Sequence, residues 1–89
     1  MPQFKKKPVT IEAVQWTGDL APIFRMIPEG AESPFSLSGQ TLKIWTAEGE
    51  MTASLHDWII KGIRGEFYAC KPDIFAATYE AIVDKAVES

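Results

Sequence analysis

The residues with the clearest capacity for chemistry are His56 and Asp57, which stand together just ahead of Trp58. An imidazole beside a carboxylate can position a general base. Cys70 could join His56 as a thiolate nucleophile if strand pairing brought the two together. The plainer reading is that residues 56 and 57 make a turn before a strand, with Asp57 accepting hydrogen bonds from local backbone N–H groups. Cys70 lies in a strand-like run between Tyr68 and Lys71, and a free cysteine in such a run is most often a small packed side chain. No coherent set of nucleophile, base and oxyanion donor is present, so the chain reads as non-enzymatic. One His, one Cys and scattered carboxylates give no metal-ligand spacing, and no cofactor motif is found.

A second pattern with chemical potential is KGIRG, in which Gly62 and Gly65 stand with Lys61 and Arg64. Backbone N–H groups and two cations there could cradle a phosphate. The run lacks the P-loop arrangement of glycines and lysine, and a hairpin turn with exposed cations accounts for it. Trp58, Phe67 and Tyr68 fall in the same segment, and aromatic rings stack on nucleobases, although packing in the core or at a subunit interface uses the same rings. Trp45 sits on the polar side of its strand with Lys43. The candidates for ligand or interface contact are therefore Trp45, Trp58, Lys61, Arg64 and Tyr68.

The elements that must position these residues follow from periodicity. Residues 8–16, PVTIEAVQW, predict a strand with Val9, Ile11 and Ala13 on one face and Val14 and Trp16 on the other. Thr17, Gly18 and Asp19 predict a turn with Asp19 as helix cap, and Leu20, Ile23, Phe24 and Ile27 share one helical face. Pro22 suits the first turn, and Pro28 with Gly30 ends the helix. Residues 28–34 form the best loop and the expected place for mobility. Runs at 35–37, 41–46 and 51–55, separated by turn signals at 38–39 and 48–49, predict a meander in which Leu42, Ile44, Met51, Ala53 and Leu55 mark apolar faces. Residues 58–63 and 66–71 predict an antiparallel hairpin turning at Arg64-Gly65, with Ile59 or Ile60 buried. Phe75 and Tyr79 mark a short helix over residues 73–79, and the tail from Ala81 to Ser89 can extend that helix, add an edge strand or fray. Together these predict an α+β fold: a curved, mainly antiparallel sheet of five to six strands with two short helices, the sheet closing at most into a partly open barrel.

Size and charge bound the function. Eighty-nine residues support a single domain spanning 1–89, with 1–7 expected to fray. Three Trp, five Phe and two Tyr are more large apolar surface than a core of this size covers easily, which predicts a homo-oligomer. A net charge of −3 opposes binding to nucleic acid and to anionic membranes, and the cluster Lys5, Lys6 and Lys7 reads as a solubilising tail. The single cysteine precludes an internal disulfide and suits a reducing compartment. No apolar run approaches a membrane span, and no apolar stretch follows the polar start MPQFKKK.

The order of residues from Leu55 to Glu80, LHDWIIKGIRGEFYACKPDIFAATYE, is denser in aromatics, glycines and charges than periodic structure requires. It resembles a segment of small tailed-phage and prophage proteins whose usual form is close to GDWIIKGVKGEFYPCKPDIFEATYE. The opening KKPVTIEAVQWTG, Lys6 to Gly18, resembles the start of the same family. That family carries glycine where this chain has His56, so imidazole catalysis is not a property the resemblance implies. The family is of unknown function, so what the resemblance implies is an origin: a phage or prophage accessory protein in the cytoplasm of an infected or lysogenic bacterium. That the protein acts by binding, as a homo-oligomer, is read from the aromatic load and the missing catalytic set. Its partner would be a host or phage protein. The alternative is a protein that binds or sequesters a nucleotide-like small molecule against host defence.

Overall fold

The computed structural model describes residues 2–3 and 10–80. Six strands and two helices follow in the order β1 (Glu12–Gln15), α1 (Ala21–Phe24), β2 (Phe35–Ser38), β3 (Thr41–Thr46), β4 (Gly49–Ala53), β5 (Trp58–Lys61), β6 (Phe67–Cys70) and α2 (Pro72–Thr78). The fold is mostly β, with every strand pair antiparallel. Two features of the sequence expectation lie outside the described residues: the lysine cluster at 5–7, with the first two residues of the expected first strand, and the tail 81–89.

The strands do not make one curved sheet, which corrects the sequence expectation. They form two three-stranded sheets, β1-β5-β6 and β2-β3-β4, and no closed barrel exists among the described residues. The division is made at residues 54–57. There His56 takes a left-handed backbone with φ 78°, and the Trp16 N–H donates to the Asp57 carbonyl at 2.8 Å while the His56 N–H donates to the Trp16 carbonyl at 2.7 Å. Those two bonds join the end of β1 to the chain entering β5. Strand β5 therefore pairs with β1, in register Val14 with Ile59 and Gln15 with Trp58, rather than continuing the meander beside β4.

The alternation read from the sequence places the core. Leu42 and Ile44 on β3 are fully buried, as are Ile59 on β5 and Ala53 on β4. Trp16, Phe35 and Phe67 fill the space between the two sheets, with the rings of Phe35 and Phe67 meeting edge to face at 5.1 Å. Burial of each such side chain contributes roughly 1.5–3 kcal/mol. Both Ile59 and Ile60 are buried, although they point to opposite faces of β5. Sheet β1-β5-β6 is thus covered on both sides, by the other sheet on one and at Trp58 by α2 on the other, where the rings of Trp58 and Phe75 stack at 4.2 Å.

Both helices are short, and packing sets their limits. The N-cap of α1 is Leu20 rather than the expected Asp19, which stands one residue ahead and accepts the Ala21 N–H through its Oδ1 at 3.0 Å. After Phe24 the chain tightens to i→i−3 bonds, from Met26 to Ile23 and from Ile27 to Phe24. Met26 is buried with Ile23 while Phe24 is exposed, so the inward face is rotated from the expected one, with Leu20 and Ile27 still packed against the core. Helix α2 begins one residue earlier than expected, because Pro72 occupies its first turn and is pre-set for that position. None of the described helices is long and apolar enough to cross a membrane.

Candidate functional site

The His56–Asp57 pair is structural. Asp57 is 3% exposed, and its Oδ2 accepts the Ser54 backbone N–H and the Lys71 ammonium, each at 3.0 Å. The Ser54 bond is the local backbone contact expected from the sequence. It spends the carboxylate on the turn, where it cannot orient an imidazole. His56 is exposed, its carbonyl accepts the Gln15 side-chain amide at 3.0 Å, and no hydrogen bond joins it to Asp57 or Cys70. Cys70 is half-buried rather than a core side chain: it lies opposite Trp58 on the α2 face of its sheet, away from the main core. Burial, with the Asp57 and Asp73 carboxylates nearby, pushes its thiol above the ordinary range, which opposes the thiolate a nucleophile needs. Among the described residues no group of three or more His, Cys, Asp or Glu side chains could hold a metal ion.

Two of the five candidates are held in local structure. Trp58 is sandwiched against Phe75, which in turn packs on Tyr79 at 5.1 Å, so its ring helps fasten α2 to the sheet. Lys61 lies opposite Glu12 in the β1–β5 register and pairs with it at 3.7 Å. Tyr68 stands between two environments. Its phenol is pushed up to about 12 by burial first and by the neighbouring Tyr79 second, while its residue borders an open cleft on the other side of β6.

Among the described residues, three of the candidates meet at that cleft. It lies where the β3–β4 turn, the β5–β6 turn and the 28–34 loop converge, and it consists of two adjoining pockets of about 560 and 410 Å3. Thr46, Ala47, Arg64, Glu66 and Phe67 border both pockets. The larger adds Met51, Glu48 and Tyr68, and the smaller adds Trp45, Ile27, Pro34 and Glu32. Trp45 is 60% exposed, because its strand position points away from the core while the preceding and following residues, Ile44 and Thr46, point inward. The structure therefore brings Trp45, Arg64 and Tyr68 to one end of the molecule and leaves Trp58 and Lys61 outside it.

The KGIRG run forms the reversal of the β5–β6 hairpin. Gly62 donates its N–H to the Glu66 carbonyl at 2.7 Å, and Gly65 takes φ 83°, a left-handed conformation that glycine accommodates without strain. The strands are correspondingly shorter than the sequence suggested, and Ile63 stands 71% exposed at the tip instead of ending β5. Within the turn the Glu66 carboxylate folds back to accept the Arg64 N–H at 3.0 Å, packed so closely on Gly62 that a Cβ there would collide with it. The chain's own anion thus occupies the place a phosphate would take.

Sequence reasoning missed the cleft's floor and rim. The sequence offers Phe67 as a stacking or packing ring and Met51 as part of an apolar strand face, and neither reading places them at a cleft. Met51 closes the gap between the sheets, its sulfur accepting the Ala69 N–H from the edge of β6 at 3.2 Å. The carboxylates of Glu32, Glu48 and Glu66 carry no motif, and only the convergence of three loops assembles them. No protein-family model, no curated protein and no solved structure matches this chain.

Proposed function

We propose that the chain is a phage or prophage accessory protein without catalytic activity, which acts by binding, as a homo-oligomer, and uses the cleft at the hairpin tips as its contact site. The carrying observation is Trp45, a large ring left 60% exposed at the mouth of a cleft whose floor is apolar. The origin rests on the resemblance of residues 6–18 and 55–80 to phage proteins. The left-handed φ of His56 supports it physically, since glycine is the unstrained residue for that conformation and the resembled pattern has glycine there. Capture of a nucleotide-like molecule is less well supported, because Glu66 folds into the turn that would hold a phosphate and Glu32, Glu48 and Glu66 border the same cleft as Arg64.

Self-association draws on apolar surface elsewhere, where Leu37 on edge strand β2 and Ile74 on α2 are both about half exposed. Multi-angle light scattering over a wide micromolar range tests it. A dimer or larger mass is expected, falling when Leu37 and Ile74 are both changed to Ser. The monomer mass of 9.9 kDa at every concentration would remove the oligomer from the proposal.

A further inference from the structure

The cleft's composition selects a kind of partner, an inference that rests on the binding role proposed above. Apolar side chains line it, with buried Phe67 bordering both pockets, partly exposed Met51 in the larger, and Ile27 and the exposed ring of Trp45 in the smaller. Its charged rim is unbalanced: Glu48 borders the larger pocket, Glu32 the smaller and Glu66 both, against the single guanidinium of Arg64. Neither Glu32 nor Glu48 is in an ion pair among the described residues. An anionic ligand would be repelled there, and a cation attracted.

We infer that the cleft takes an extended peptide segment of a partner protein, carrying a basic side chain next to an apolar one. The apolar side chain occupies the pocket of Met51 and Phe67. The cation lies in the pocket of Trp45 and Glu32, where the exposed indole face offers a cation–π contact and the carboxylate a counter-charge. The two pockets adjoin along Thr46, Ala47 and Glu66, and side chains at i and i+2 of an extended chain project to one side as neighbours, so a single short segment reaches both. Charge complementarity argues for a basic peptide over a nucleotide, and paired open pockets argue for a chain with alternating side chains over one compact cation.

The test is titration of the 15N-labelled full chain with three probes: the blocked peptide Leu-Gly-Arg-Gly-Leu, the same peptide with glutamate replacing arginine, and arginine amide alone. The arginine peptide is expected to shift the amides of Thr46, Ala47 and Gly65 and the Trp45 indole N–H, and to bind more weakly as salt rises. In a Glu32→Gln, Glu48→Gln double variant, where both changes are exposed and isosteric, its affinity should fall at least about threefold. Equal binding of the glutamate peptide overturns the inference, as do arginine amide matching the arginine peptide, shifts confined to other surfaces, or no shifts at millimolar peptide. A chain that is oligomeric yet silent to the arginine peptide would refute this inference while leaving the homo-oligomeric binding role intact. A monomer that binds the peptide would do the reverse.

Discussion

Two ends of this small protein are built on opposite terms. At one, the turn of residues 54–57 is tied to Trp16 by backbone bonds and to Lys71 by a buried carboxylate, and the Trp16 indole N–H in turn donates to the Gln40 carbonyl at 2.9 Å. Polar groups there are paired, and the two sheets take their arrangement from it. At the other, the hairpin tips leave Trp45 and Ile63 in solvent and leave carboxylates without ion-pair partners among the described residues. The end that looks catalytic in sequence, with His beside Asp, is architecture. The end that looks like ordinary turns is where surface is left over for binding.

The contrast is broken most directly by exchanging the same substitution between the two ends. Trp16 is 1% exposed within the core and Trp45 stands outside it. Trp16→Ala should cost roughly 3–5 kcal/mol and leave the domain largely unfolded, since a cavity and an orphaned Gln40 carbonyl are added to the lost burial. Trp45→Ala should change stability by no more than about 0.5 kcal/mol. Urea unfolding followed by far-ultraviolet circular dichroism measures both. Similar losses for the two variants would show that Trp45 is a packing residue and would remove the case for a contact site at the tips.

The next effect in size sits on Asp57. Asp57→Ala leaves the Ser54 N–H without its acceptor and Lys71 without its counter-charge, at an expected cost of about 1–3 kcal/mol. Most of that comes from the N–H, because the Lys71 side chain is 60% exposed and its ion pair is screened. Lys71→Ala should therefore cost far less, and the comparison separates turn closure from charge pairing. If the lysine variant lost as much as the aspartate variant, the ion pair and not the turn would be holding this end together.

How far the fold was legible follows the same division. Alternation in Leu42, Ile44 and Ala53 marked the inner face of β2-β3-β4, because burial on one face writes a period of two into the sequence. The first strand instead carries apolar residues on both faces in sequence, and only the structure shows that Val14 and the adjoining Trp16 are the pair that meets the main core. The split into two sheets left no such mark. It depends on the backbone angle of a single residue, His56, and on main-chain bonds between Trp16 and residues 56–57, to which side-chain types are blind. Met26 was hidden because Leu20, Ile23, Phe24 and Ile27 define an apolar face by themselves, and the structure turns that face so that Met26, just beyond α1, replaces Phe24 inside. Of the site, Trp45 was legible as an apolar residue on a polar face, and Arg64 as a cation in a turn. Glu66 was not, because its role comes from a carboxylate folding back across two residues. The cleft joins loops distant in the chain, and local pattern carries no trace of that.

The smallest expected effect is the sharpest test of whether residue 56 serves the backbone or chemistry. At φ 78° a side chain crowds its own carbonyl, at a cost of about 1–2 kcal/mol relative to the right-handed region, and glycine escapes this while losing about 0.5–1 kcal/mol of chain entropy. His56→Gly should thus stabilise the protein by about 0.5–1 kcal/mol. His56→Ala keeps the strain without gaining a contact and should be neutral or slightly destabilising. The bonds made by residue 56 are both main-chain, from its N–H to Trp16 and from Gln15 to its carbonyl, so neither substitution removes them. Denaturant midpoints rank the three proteins. If glycine ranked below histidine, the imidazole would be making a contribution of its own, and the turn at 54–57 would have to be counted with the hairpin tips as a surface where side-chain chemistry matters.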